Sequence, residues 1–200
     1  MQLNIYLLSH PLIKQISSSI LDIKYIESLT HINTTSLKEY YSKTLGIFLI
    51  YESMRKWINL NKFYLKKLNQ VQEIYIVSPK EKYIMITDII KNYQIIGDIK
   101  IMIPEIQFIH LNSEYINTHS HLFNEEIKKY NISIHTNIIL LQTLLNDHVI
   151  LKYINILKSK SNVMTKKIHI LCFTCNNKIL DRIGQIYPEL NIYTTQIINN

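Results

Sequence analysis

The sequence contains no alanine, and only three glycines, Gly46, Gly97 and Gly184, in 200 residues. Both residue types are among the commonest in ordinary proteins. Loops that cradle phosphate need glycines close together, so that several backbone N–H groups can converge and the anion can approach them. With the three glycines this far apart, a Gly-rich dinucleotide fingerprint and a Walker loop are both excluded. The two cysteines, Cys172 and Cys175, make no disulfide framework. No apolar run approaches the roughly 20 residues of a membrane span, so a membrane is not an expected partner. The opening Met1-Gln2-Leu3-Asn4-Ile5-Tyr6 lacks the basic start of a secretory signal and the Arg/Ser richness of a transit peptide. The protein is therefore expected to stay in the compartment where it is made.

In place of alanine and glycine the chain carries 40 isoleucines, and lysine supplies all but two of its 22 basic residues, the exceptions being Arg55 and Arg182. Ile, Asn, Lys and Tyr have A/T-rich codons, whereas Ala, Gly, Pro and most Arg codons are G/C-rich. The expected source is a strongly A+T-rich genome, that of an organelle, a parasite or an endosymbiont. A plastid-encoded gene, with the cytoplasm of an A+T-rich bacterium as the alternative, is expected once a family resemblance is added to the composition. The same bias discounts the net charge of +7. Such a charge normally points to nucleic acid or an anionic surface. Here no Lys/Arg run exceeds two residues, so solvated lysines are expected and a basic nucleic-acid-binding module is kept only as an alternative.

With 47% hydrophobic residues the chain can bury a core as one domain. No linker or internal repeat divides it. Residues 1–70 are read as a helical arm and 71–200 as an α/β core. Pro11 opens a helix to about Asp22, proline being tolerated in a first turn. Ser36 to about Asn59 forms a second helix, with Leu37, Tyr40, Tyr41, Leu45, Phe48, Leu49 and Glu52 on one side. Its Gly46 is where another element approaches. Later come short β-branched runs, Ile74–Val77, Ile99–Ile103, Ile138–Leu141, Ile168–Phe173 and Ile192–Thr194. They are mostly apolar and do not alternate, as in strands buried on both faces. Helices are expected at about Lys82–Tyr93, Asp147–Lys158 and Asn177–Tyr187, with Asn146 or Asp147 and Asn176 as N-caps. Alternation of this kind predicts a five-stranded, mainly parallel sheet. Pro104–Asn137 is left as a flap, hairpin or long loop.

Ligands of such sheets bind beyond the carboxyl ends of the strands. The segments so placed are Ser78–Lys82, Pro104–His110, Gln142–His148 and Thr174–Lys178. Cys172-Phe173-Thr174-Cys175, with His169, has a redox or metal reading, but no second ligand pair completes it, and two small buried side chains are expected. His119-Ser120-His121 with His110 is read as surface histidine. Glu125-Glu126 followed by Lys128-Lys129 is read as a helical charge pattern. Gln142–His148 stands at the usual phosphate-loop position, yet it has no glycine, and Asp147 would repel an anion.

Four patches in order resemble uracil phosphoribosyltransferase. His10-Pro11-Leu12-Ile13-Lys14 is similar to the family's His-Pro-Leu-(Val/Ile)-Lys. Leu49-Ile50-Tyr51-Glu52-Ser53 is similar to its Leu-Leu-x-Tyr-Glu-Ala. Lys167–Cys172 resembles the strand after the phosphate-loop helix. Tyr187–Thr194 resembles His-Pro-(Asp/Glu)-(Val/Ile)-x-(Ile/Leu)-Tyr-Thr. The resemblance implies a phosphoribosyltransferase-type α/β fold with helices flanking a mainly parallel sheet, and a homodimer. It also implies pyrimidine salvage, uracil and phosphoribosyl diphosphate giving UMP.

The family's active-site motifs do not carry over. Val77-Ser78-Pro79-Lys80-Glu81 is set against Leu-Arg-Ala-Gly-Leu. Leu141–Val149 is set against Asp-Pro-x-x-Ala-Thr-Gly-Gly-Ser, with Asn146, Asp147 and His148 at the vestigial loop position. The Gly/Asp-rich uracil-binding segment would fall after Ile192–Thr195, where the chain reaches Asn200. The expectation is a homolog without catalytic activity, with no catalytic residue, metal or cofactor assigned. An active salvage enzyme using Lys80 and Lys82 for phosphate is the alternative.

Overall fold

The computed structural model describes residues 3–30, 35–111, 120–145 and 149–199. Its centre is a six-stranded sheet in which every neighbouring pair is parallel. The strands are β1 (Asn4–Leu7), β4 (Lys82–Thr87), β5 (Gln107–His110), β6 (Thr136–Leu145), β7 (Ile168–Asn176) and β8 (Asn191–Ile198), in the spatial order β1-β8-β7-β6-β4-β5. A separate antiparallel hairpin joins β2 (Leu60–Lys67) to β3 (Gln70–Val77). The helices are α1 (Pro11–Thr30), α2 (Thr35–Trp57), α3 (Ile89–Met102), α4 (Ser120–Lys129), α5 (Val149–Lys160) and α6 (Asn177–Ile186). No described helix is long and apolar enough to cross a membrane.

Parallel strands buried on both faces explain the unbroken isoleucine runs. On one face Ile84, Ile138, Ile170 and Ile192 pack with Phe123, Ile150, Ile154 and Ile183 of α4, α5 and α6. On the other, Met85, Ile139, Leu171 and Tyr193 pack with Ile13 of α1, Leu45, Leu49 and Met54 of α2, and Ile95 and Ile99 of α3. A Cβ added to Gly46 would lie 2.5 Å from Ile95 Cδ1, so this glycine does set the close approach of α2 to α3. The buried stripe of α2 runs through Leu45, Leu49, Ile50, Ser53 and Met54, whereas Leu37 and Tyr40 are exposed. The stripe read from the sequence is thus shifted, because α2 packs on the sheet by its second half.

Several expected elements change identity. Ile99–Ile103 is not a strand but the last turn of α3 and its cap. Lys82–Tyr93 is not one helix: it is β4 followed by the start of α3. Ile74–Val77 belongs to the hairpin and not to the central sheet. The sheet therefore has six strands and not five, its edges supplied by β1 and β5. The first error has a simple cause: a short run such as Ile-Lys-Ile-Met-Ile, apolar but for one lysine, fits a buried helix end as well as a strand. The expected cap Asn176 does accept the Lys178 N–H at 2.8 Å. Asn146 and Asp147, the other proposed caps, lie outside the described residues.

Three strands share an irregularity. Bridges pair Gln142 with Cys172 and Cys172 with Thr194, then Leu144 with Thr174 and Thr174 with Gln196. At Thr143, Phe173 and Thr195, all at one level, the bridges lapse. Beyond that level Leu145, Cys175 and Ile197 face α5 and α6, although simple alternation would turn them to the opposite face. All three strands slip by one residue together and keep their register. Thr195 Oγ1 donates to the Phe173 carbonyl at 2.7 Å, satisfying it where the ladder lapses.

Candidate functional site

The strand order reverses between β4 and β6, and the crevice beyond their carboxyl ends is the expected ligand position in such a sheet. A hollow of about 110 Å³ lies there, lined by Asp88, Lys91 and Asn92 after β4, and by Gln142, Thr143 and Leu144 of β6. A second hollow of about 310 Å³, between α2 and α3, shares Lys91, Asn92 and Thr143.

The start of α3 is closed upon itself. Asp88 is the N-cap, and its Oδ1 accepts the N–H groups of Ile90 and Lys91 at 3.1 and 3.2 Å. The Ile89 N–H donates to His110 Nδ1 at 3.1 Å. A helix leaves its first backbone N–H groups free to hold an anion. Here a carboxylate and an imidazole of the same chain take three of them. Lys91 Nζ also lies 3.3 Å from Asp88 Oδ2. The buried Asn92 departs from helical geometry (φ −113°, ψ 16°) and donates to Thr87 Oγ1 at 2.9 Å. Thr87 Oγ1 in turn donates to the Leu141 carbonyl at 3.0 Å. This chain of bonds fixes the end of β4 to β6.

The residues singled out in the sequence fall as follows. Asn146, Asp147 and His148 lie outside the described residues, as does His119. Gln142, Thr143 and Leu144 line the carboxyl-end hollow. Ser78–Lys82, expected at the ligand end, lies instead at the amino-terminal end of β4, so Lys80 and Lys82 are at the opposite end of the sheet from the hollow. His110 is half-buried and holds the Ile89 amide. Glu125, Glu126, Lys128 and Lys129 all lie on α4. Cys172 and Cys175 are free and buried on the α5/α6 side, donating to the Tyr193 and Gln196 carbonyls. Contact with Cys175 and burial push the Cys172 thiol well up, the reverse of a reactive thiolate. His169 stands on the opposite face, stacked on Trp57 with ring centroids 4.7 Å apart, so it cannot join the cysteines as a ligand. Among the described residues no group of three His, Cys, Asp or Glu side chains converges as metal ligands would.

A second polar cluster, not anticipated from the sequence, occupies the amino-terminal end of the sheet under the last turn of α2. Glu81 accepts from Lys167 Nζ at 2.8 Å, Asn59 Nδ2 at 2.9 Å and Tyr83 OH at 2.7 Å. Burial alone would raise the Glu81 carboxyl. The bonds from Lys167, Tyr83 and Asn59 outweigh it and hold the group below its ordinary value. Burial, with Glu81 alongside, pushes the Tyr83 phenol up. Behind them the side chains of His169 and Asn137 and the Trp57 Nε1 have no hydrogen-bond partner among the described residues. Burial drives His169 down to about 3, so the imidazole is neutral at ordinary pH.

Two proteins named uracil phosphoribosyltransferase homolog match nearly the whole chain. The one from Pyropia yezoensis is 26% identical over 100% of this chain and 91% of its own length. The one from Porphyra purpurea is 25% identical over 98% of this chain and 89% of its own length. The chain is thus similar, over nearly its whole length, to these two uracil phosphoribosyltransferase homologs. Its fold is similar to that of the AQ2163 protein from Aquifex aeolicus, with a TM-score of 0.65 over 98% of this chain and 88% of that one, at 16% identity. No family model matches the chain.

The fold corrects one correspondence with the uracil phosphoribosyltransferase motifs. Val77–Glu81, set against Leu-Arg-Ala-Gly-Leu, precedes the central strand β4, and the segment at the carboxyl end of that strand is Thr87-Asp88-Ile89-Ile90-Lys91. It too has neither arginine nor glycine, and it carries an aspartate. The sequence offered a signal for Asp88. An aspartate ahead of an apolar run marks an N-cap, a signal that reading Lys82–Tyr93 as a single helix hides.

Proposed function

We propose that this chain is a uracil phosphoribosyltransferase homolog that does not catalyse phosphoribosyl transfer. The observation that carries the reading is the Asp88 carboxylate on the first amides of α3 at the carboxyl ends of the strands. Phosphoribosyl transfer draws on donors aimed at pyrophosphate and at charge developing on the sugar. In this crevice two backbone donors are engaged by Asp88 and a third by His110, and among the described residues the only lysine lining the smaller hollow, Lys91, is paired with Asp88. No glycine occurs between Gly97 and Gly184 to build another amide cradle at the end of β6. The several kcal/mol of transition-state stabilisation that an amide cradle supplies are thus not drawn from the start of α3. The test is a turnover assay of the purified protein with uracil and phosphoribosyl diphosphate. No UMP above background is expected; sustained UMP formation establishes the active salvage enzyme instead.

The protein acts as a homodimer in this reading. The hairpin supports it. On one face Phe63, Leu65, Ile74 and Ile76 make an apolar row, with Phe63, Leu65 and Ile76 about half exposed. Two strands alone are marginal in water, and an apolar face of this kind gains by being covered. The compartment is a plastid, and the support is the codon signature of 40 isoleucines without alanine. Mapping the gene to organellar or other DNA decides that point.

A further inference from the structure

A hollow with mixed walls lies at the opposite end of the sheet from the crevice of the proposed function. It measures about 530 Å³ and opens between the base of the hairpin, the start of β4 and the turn after α3. That is within the roughly 300–1,000 Å³ of small-molecule sites. Its walls are mainly hydrocarbon, from Ile76, Val77, Pro79, Ile103 and Pro104. Its polar groups converge from three segments: Ser78 of the hairpin exit, Glu81 before β4, and Glu105 after α3.

We propose that this cleft binds a small molecule with an apolar body and a cationic N–H head, such as a primary amine or an amidine. Three features favour a cation there. Glu81, with 11% of its side chain exposed, is locked in place by Asn59, Tyr83 and Lys167. These bonds leave acceptor capacity on Oε2, which has one donor while Oε1 has two. Glu105 adds a second, exposed carboxylate at the rim. The cleft also lies at the C-terminal end of α3, the negative end of a 14-residue helix dipole. Against these stand three lysines: Lys82 of the lining, which is exposed, Lys167, whose ammonium is held on Oε1 of Glu81, and Lys100 in the last turn of α3, which donates to the Ile106 carbonyl. Ser78 is 9% exposed, and its hydroxyl makes no hydrogen bond among the described residues, so it offers a further acceptor. The polar groups are fixed before any ligand arrives, which lowers the cost of ordering a site.

The probe is benzylamine, with benzoate as the charge-reversed molecule of the same body, followed by ligand-observed NMR on the full chain. Benzylamine is expected to bind saturably at millimolar concentration and benzoate not to bind. Glu105→Lys, a surface change outside the Glu81 network, is expected to weaken benzylamine by about fivefold or more. Glu81→Gln is expected to abolish binding if it folds. Should it not fold, Glu105→Lys still decides. Absence of benzylamine binding, equal binding of benzoate, or unchanged affinity in Glu105→Lys overturns the proposal. None of these outcomes bears on UMP formation at the other end of the sheet.

Discussion

Glu81 and Lys167 are 86 residues apart in the chain and 2.8 Å apart at the amino-terminal end of the sheet. The pair joins the entry to β4 with the entry to β7, and Asn59 brings in the end of α2. Replacing Glu81 with Gln leaves a mostly buried ammonium without its charge partner. The expected cost is about 2–3 kcal/mol, read from urea unfolding midpoints. That lies below the roughly 3–5 of a fully enclosed pair, since Lys167 keeps 21% of its side chain exposed. The folded carboxyl sits below its ordinary value, so its contribution is present above about pH 4.5 and is lost as pH falls through the folded value. An unfolding midpoint unchanged by the substitution at pH 7 would contradict this.

His169 adds a separate acid sensitivity. Its folded value of about 3 is below the ordinary 6.5, so the unfolded chain binds the extra proton first as pH drops. Stability declines from about pH 6.5 toward pH 3, by at most about 1.4 kcal/mol per pH unit. His169→Phe keeps a ring against Trp57 and removes the titration. Between pH 7.5 and 5.5 the parent is expected to lose about 1.4 kcal/mol more than the variant. Parallel pH profiles for the two would show that His169 is protonated in the fold.

Asp88→Ala removes the internal anion from α3. Loss of the cap is expected to cost about 1 kcal/mol. The freed Ile90 and Lys91 amides, with Lys91 released from its carboxylate, then form an anion site. Inorganic phosphate at tens of millimolar is expected to raise the Tm of the variant and not of the parent. An equal shift in both proteins would mean that Asp88 does not block the position.

The hairpin is the expected dimer contact. Phe63→Ser combined with Leu65→Ser puts two hydroxyls into its apolar row while leaving both backbone ladders intact. Sedimentation velocity is expected to show a dimer for the parent and a monomer for the double variant, with unchanged circular dichroism. A monomeric parent rejects the arrangement.

The sequence was legible where its patterns had one physical solution. Ile138–Leu141, Ile168–Phe173 and Ile192–Thr194 are central strands, and Pro11 and Asn176 open helices as their chemistry requires. The α/β class and the likeness to uracil phosphoribosyltransferase followed from these elements and their order. Legibility failed where isoleucine fills both periods. Ile99–Ile103 suits a strand or a helix end, and only packing of Ile99 and Ile103 between α2 and the sheet decides it. That one error displaced β4 and with it the ligand end, so Asp88 was passed over. The Glu81–Lys167 pair was out of reach for another reason: neither residue has a local pattern, and the sheet alone brings them together.

The slip shared by Thr143, Phe173 and Thr195 constrains how this gene can change. Deleting one residue from a single strand there would put the rest of that strand out of register with its neighbours, which keep their slip. Restoring alternation would take three simultaneous deletions in widely separated codons. Point substitutions can erode the crevice residues one at a time, but this level of the sheet can be altered only as a unit. Among descendants of this chain, strand lengths through β6, β7 and β8 are therefore expected to persist after the residues around Asp88 have diverged.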